Sequence, residues 1–181
     1  MVPNRVRHRA ELASSAAMSD PIEDRVREVL ATTGVPHELL PCDPALADTA
    51  EYCAAYGWTL DRSANTIVVV GKSDPPRLVA CVVLATHRLD VNGVVGKRVG
   101  AAAADPRRAP GMQIGGGPPS ALPDELEIGT DAEVTRRDQL ILGGGSRSLK
   151  VLAPPEALLA LPNAVVVDGL ANPIAPMPPQ A

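Results

Sequence analysis

The chain has no phenylalanine, one tryptophan and two tyrosines among its 181 residues. Stacking bases on an aromatic platform is therefore closed to it as a main binding mode. Its core has to be built from Val, Leu, Ile and Ala, and at 45% apolar residues there are enough of them for a globular domain. Cysteine is scarce too. Cys42, Cys53 and Cys81 are odd in number, widely spaced and free of any CxxC or Cys/His pattern, which argues against a disulfide framework and against a zinc site. They suit a reducing compartment, so a cytoplasmic location is expected. No run approaches the roughly 20 apolar residues that span a bilayer, so a membrane is not expected as a partner. Positive charge is also in short supply, with 17 basic against 21 acidic residues and a formal net charge of −4. Coating a duplex requires many neutralised phosphates, and DNA is accordingly not an expected partner. A small site that grips only one end of a nucleic acid remains open, because Lys97, Arg98, Arg107, Arg108, Arg136, Arg137, Arg147 and Lys150 all fall in the second half.

The length fits one domain. Asp20, Pro21 and Glu23 form an N-cap, a first-turn proline and a capping box, and Ile22, Val26, Val29 and Leu30 follow on one helical face until Gly34. A short strand is expected at residues 35–42. Asp48 starts a second helix, with Glu51 three residues on, which ends at Gly57. Residues 67–70 and 78–85 are β-branched apolar runs joined by a turn-rich segment, the signature of a hairpin. Asp90 caps a third helix carrying Val91, Val94, Val95 and Val99. Further strands are expected at 126–130, 139–142, 149–152 and 164–167, with a short helix at 155–161. Residues 1–19 read as an unfolded leader, 20–171 as the domain, and the proline-dense 172–181 as an unfolded tail. Hairpins mixed with isolated helices do not repeat as βαβ units. The expectation is a single α/β domain with a mixed, mostly antiparallel, barrel-like sheet surrounded by helices.

Two glycine clusters invite chemistry: Gly115-Gly116-Gly117-Pro118-Pro119 and Gly143-Gly144-Gly145-Ser146-Arg147. Neither has the Lys-Ser/Thr of a phosphate loop or completes GxGxxG before a helix. Each can be a tight turn, since Gly tolerates positive φ and Pro fixes φ. Successive glycines at a strand end can also present N–H groups to an anion, and Arg147 would add a forked donor to the second cluster. Among the histidines, His87 could act as a general base, although a surface turn is the commoner setting for such a residue.

Five ordered blocks carry a family resemblance. They are Ser63-Ala64-Asn65-Thr66-Ile67-Val68-Val69-Val70, Val79-Ala80-Cys81-Val82-Val83-Leu84-Ala85, Arg88-Leu89-Asp90-Val91-Asn92, Gly111-Met112-Gln113-Ile114-Gly115-Gly116, and Gly143-Gly144-Gly145-Ser146-Arg147-Ser148-Leu149-Lys150-Val151. In this order the sequence resembles the YbaK/EbsC family, freestanding relatives of the editing domain inserted in bacterial prolyl-tRNA synthetases. The resemblance implies hydrolysis of the ester of a mischarged tRNA, such as cysteinyl- or alanyl-tRNA(Pro), without metal or other cofactor. It implies water attack assisted by the substrate's own groups and by backbone amides.

The partners it implies are the charged acceptor end of tRNA and prolyl-tRNA synthetase. Gly115, Gly116 and Pro119 fall on the family's glycine-xxx-proline loop and become the catalytic candidates. Asn65, Thr66, Asp131, Gly143, Gly144, Gly145, Ser146 and Arg147 become the substrate-binding ones. Asn65 stands where many relatives carry lysine, and the segment 101–110 is short and lacks the family's Lys and Phe. The competing expectation is thus a catalytically weakened module that binds tRNA ends or aminoacyl compounds.

Overall fold

The computed structural model describes residues 20–71, 74–99, 105–106 and 117–175. Helix α1 (Pro21–Thr33) begins where expected: Asp20 Oδ1 accepts the Ile22 N–H at 2.8 Å, and Gly34 closes the helix at φ 66°. Val26 and Leu30 form its buried stripe, each contributing about 1.5–3 kcal/mol by leaving water. Glu23 does not complete a capping box; its carboxylate instead accepts a hydrogen bond from the distant Ser146 hydroxyl. Strand β1 (Glu38–Pro41) follows, then α2 (Thr49–Tyr56), which ends at Gly57 with φ 73°.

The hairpin forms as expected from β2 (Ala64–Val70) and β3 (Leu78–Leu84), with Thr66 opposite Val82 and Val69 opposite Val79. Strand β4 (His87–Leu89) leads into a π-helical turn, Val91–Val95, and then α3 (Gly96–Val99). The expected single helix is thus wider at its start. Asp90 Oδ1 takes the Gly93 N–H at 3.0 Å, and the carboxylate lies where a Gly93 side chain would be. The remaining elements are β5 (Asp105–Pro106), β6 (Glu127–Asp131), α4 (Ala132–Thr135), β7 (Leu140–Gly143), β8 (Leu149–Ala153), α5 (Glu156–Leu159), β9 (Ala164–Val167) and β10 (Ala171–Pro173).

These strands make a five-stranded sheet ordered β5-β2-β3-β6-β9, a three-stranded sheet β1-β8-β7 and a ribbon β10-β4. Five of the seven strand pairings are antiparallel; β3 with β6 and β6 with β9 are parallel. The strands are mixed in direction, as expected, but among the described residues they do not close into a barrel: one isolated bridge there, Ser63 to Ile141, joins the two larger sheets. Strand β3 is covered on both faces. Ala80, Val82 and Leu84 join the cluster under α1, whereas Val79, Cys81 and Val83 join a second cluster with Leu89, Val95, Val167 and Leu170. Burial on both faces explains its unbroken apolar run. A third cluster gathers Cys42, Ala47, Tyr52 and Ile141, with Tyr56 and Trp58 against it.

Asn172 and Pro173, expected in an unfolded tail, pair with Arg88 and His87, and the Ile174 N–H reaches Thr86 O at 2.9 Å. An edge strand accommodates proline where its missing N–H would face away from the ladder, so proline density was a poor marker of disorder here. Residues 1–19, 72–73, 100–104, 107–116 and 176–181 lie outside the described residues.

Candidate functional site

A groove of about 940 Å³ opens against the second face of the main sheet. Its floor includes Ile67. Its sides are β4 with the following turn, through Asp90, Val91 and Asn92, and the C-terminal segment Asn172, Pro173, Ile174 and Ala175. Side chains alternate across a strand, so Asn65 shares the Ile67 face of β2. Its Oδ1 accepts the Thr49 hydroxyl at 2.9 Å, which leaves the amide Nδ2 as its donor. Thr66 points to the opposite face, and its buried Oγ1 has no partner among the described residues. The Thr66 side chain therefore faces away from that of Asn65. Thr130 Oγ1 is likewise buried and unpartnered, one strand beyond Val82.

The second glycine cluster forms a braced turn between β7 and β8. Gly144 N–H bonds Leu149 O at 3.1 Å, and a side chain at Gly144 would sit 2.6 Å from that same oxygen. Gly145 holds φ 110° and packs against Ile22 and Glu23 at the start of α1. Ser146 Oγ donates to Glu23 and accepts the Ser148 N–H at 2.9 Å. Arg147 Nε donates to Pro44 O at 2.8 Å and its Nη1 to Asp48 at 3.3 Å. The Arg147 fork thus fastens the 43–48 loop. Asp48, expected to cap α2, makes no side-chain cap bond and is held by Arg147 instead. Since Thr49 follows Asp48, the start of α2 links Arg147 to Asn65 through one backbone step. Gly143 and Pro119 both line a small apolar pocket, with Leu30, Ser120 and Leu142. Gly115 and Gly116 lie outside the described residues.

Asp131, expected at the substrate, is buried at 2% exposure and both oxygens are engaged. Oδ1 accepts the Glu133 N–H and Oδ2 the Ala171 N–H, each at 2.8 Å. Its place is inside the framework.

Lys150, counted from the sequence only among the basic residues of the second half, is buried at 4% exposure. Its Nζ donates to Ala47 O at 2.6 Å and lies 5.4 Å from the centre of the Tyr52 ring. Desolvation lowers its pKa, opposed by the nearby Cys42. Burial raises the Cys42 thiol, against Lys150, and burial likewise raises the Tyr52 phenol. Between apolar strand neighbours, a lysine in a strand pattern gives no signal of burial. Nor did sequence reasoning assign the walls of the groove, because β4 is three residues long and β10 contains proline.

Among the described residues no group of three His, Cys, Asp or Glu side chains is placed to hold a metal ion, and no helix is long and apolar enough to cross a membrane.

The profile of the aminoacyl-tRNA editing domain matches residues 43–161. The chain therefore belongs to the aminoacyl-tRNA editing domain family, a family of aminoacyl-tRNA deacylases with a context in translation fidelity. Its fold is similar to that of a crystal structure described as a candidate trans-editing enzyme for prolyl tRNA synthetase: the TM-score is 0.69 at 25% identity, covering 83% of this chain and 98% of the other. The hypothetical protein APE2540 is similar in fold at TM-score 0.71 and 24% identity, over 82% of this chain and 99% of that one. No curated protein matches the chain.

Proposed function

We propose that this protein acts in trans on mischarged aminoacyl-tRNA and hydrolyses the aminoacyl ester, with tRNA(Pro) carrying cysteine or alanine as the first substrates to examine. The observation that carries this reading is the open groove on the Asn65–Ile67 face of β2, set within a chain of the editing-domain family. Ile67, Leu89 and Val91 offer apolar surface to a small aminoacyl group, while Asn65 Nδ2 is a neutral donor to a carbonyl or hydroxyl. A neutral amide neither abstracts a proton nor carries charge. The chemistry that fits is therefore orientation of the ester and of an attacking water, with hydrogen-bond donors stabilising the developing oxyanion. The likeness to a candidate editing enzyme for prolyl tRNA synthetase supports that synthetase as the source of the error.

The experiment is a deacylation assay over a panel of correctly and incorrectly charged tRNAs. The reading expects ester hydrolysis above the uncatalysed rate for at least one mischarged species and none for prolyl-tRNA(Pro). Tight binding of charged tRNA without hydrolysis would replace it with the binding-module reading, which the neutral Asn65 favours.

A further inference from the structure

One wall of the groove comes from the far end of the domain. Strand β10 is three residues long and, among the described residues, pairs only with the equally short β4. Of its residues Ala171 is buried, whereas Asn172, Pro173 and the following Ile174 are exposed and line the groove. Little apolar burial is available to hold such a segment, so its polar ties matter. Asp90 N–H bonds Leu170 O at 2.9 Å just before the strand, and Ile174 N–H bonds Thr86 O at 2.9 Å just after it. Between them the Ala171 N–H is taken by the buried carboxylate of Asp131 at 2.8 Å. The other oxygen of that carboxylate caps the first turn of α4.

We infer that Asp131 is a positioning residue of the candidate site: one buried carboxylate, anchored at the end of β6, locks β10 into place as the wall of the groove. The inference rests on the groove being where substrate binds. Its chemistry is that of two acceptors facing two backbone donors. A carboxylate supplies both. A carboxamide of the same shape supplies one oxygen and one NH₂, so either the Ala171 or the Glu133 N–H meets a donor and is left unsatisfied. Helix α4 is held independently by Val134, which is fully buried in the cluster under α1. The thinly packed β10 is the element that gives way. Because Asp131 touches backbone on both sides, its effect on substrate passes through Asn172 to Ile174.

The test is Asp131→Asn in the full chain, read in two ways. Hydrogen exchange at the Ala171 and Ile174 amides should quicken by on the order of tenfold or more, while β3 amides keep their protection. With mischarged tRNA, KM should rise several-fold and kcat change less, the pattern of lost uniform binding. Unchanged exchange in Asp131→Asn overturns the proposal. So does a released strand with unaltered KM. If Asp131→Asn fails to fold, Ala171→Pro removes the same bond from the donor side and decides in its place. Exchange needs no substrate, so a wild-type protein without deacylase activity would remove the proposed function and leave this arm intact.

Discussion

The β7–β8 turn and the groove along β4 and β10 are both rich in polar groups, yet they use them in opposite ways. In the turn, Gly144, Ser146, Arg147 and Lys150 all bond to partners within the chain. On the strand face that runs into the groove through Ile67, Asn65 has its oxygen held and its amide without a partner among the described residues, and the groove walls are short strands with exposed side chains. A polar group whose bonds are satisfied internally stabilises and orients, whereas one with capacity left over can recognise a ligand. The turn is therefore a brace of this molecule and the groove its candidate working face, although the glycines and arginine of the turn carry the stronger sequence signal.

The contrast predicts that changes in the turn act on stability and changes in the groove on activity. The largest effect is expected at Gly144. A methyl group there would lie 2.6 Å from the Leu149 carbonyl oxygen, a backbone atom that cannot swing aside. Gly144→Ala should cost about 3–5 kcal/mol by disrupting the β7–β8 pairing, measured by urea unfolding. A loss below about 1 kcal/mol would mean that the turn has room to relax and is not a brace.

Lys150→Ala comes next. It removes the donor to Ala47 O, leaves space beside Tyr52 and strips a cation from the ring face. A loss of about 2–3 kcal/mol is expected, lowering Tm by roughly 4–12 °C for a chain of this size. Deacylation per folded molecule should be unchanged. A stable Lys150→Ala protein without activity would move Lys150 out of the brace and into the site.

On the groove side, Asn65→Ala should leave stability within about 1 kcal/mol, since only the hydrogen bond from Thr49 is lost. It should lower kcat/KM by roughly ten- to a hundredfold through loss of the Nδ2 donor. Full activity in Asn65→Ala would separate this strand face from the reaction.

The parts of the fold that were legible in the sequence are those with strong local signals. Asp20 and Gly34 bracket α1, Gly57 ends α2, and the β2–β3 hairpin shows as two β-branched runs. Parallel pairing of β3 with β6 and of β6 with β9 joins residues far apart in sequence, and no local pattern encodes it. The site was less legible for a related reason. Asp131 and Arg147 are the residue types that bind ligands, but whether their bonds go to a ligand or to Ala171 and Pro44 depends on partners 40 and 103 positions away. Asn65 and Thr66 are neighbours in sequence and, by strand alternation, face opposite sides.

The smallest effect is expected at His87, and it bears directly on mechanism. His87 lines the groove, and its Nδ1 lies 3.0 Å from the Thr86 hydroxyl. An imidazole in a candidate site invites the role of general base, whose removal typically lowers a rate by 10²–10⁴-fold. If the proposed site works by orienting the ester and the attacking water with hydrogen-bond donors, His87 is only part of the wall beside Pro173. His87→Ala should then lower kcat by less than about threefold, with a modest rise in KM from the lost surface. His87→Gln, which keeps a polar side chain but cannot serve as a base near neutral pH, should behave like the wild type. A drop of a hundredfold or more in kcat for both variants, with the fold intact by circular dichroism, would make His87 the base. The comparison would then sharpen: the groove would supply the chemistry as well as the shape, while the turn kept its purely mechanical part.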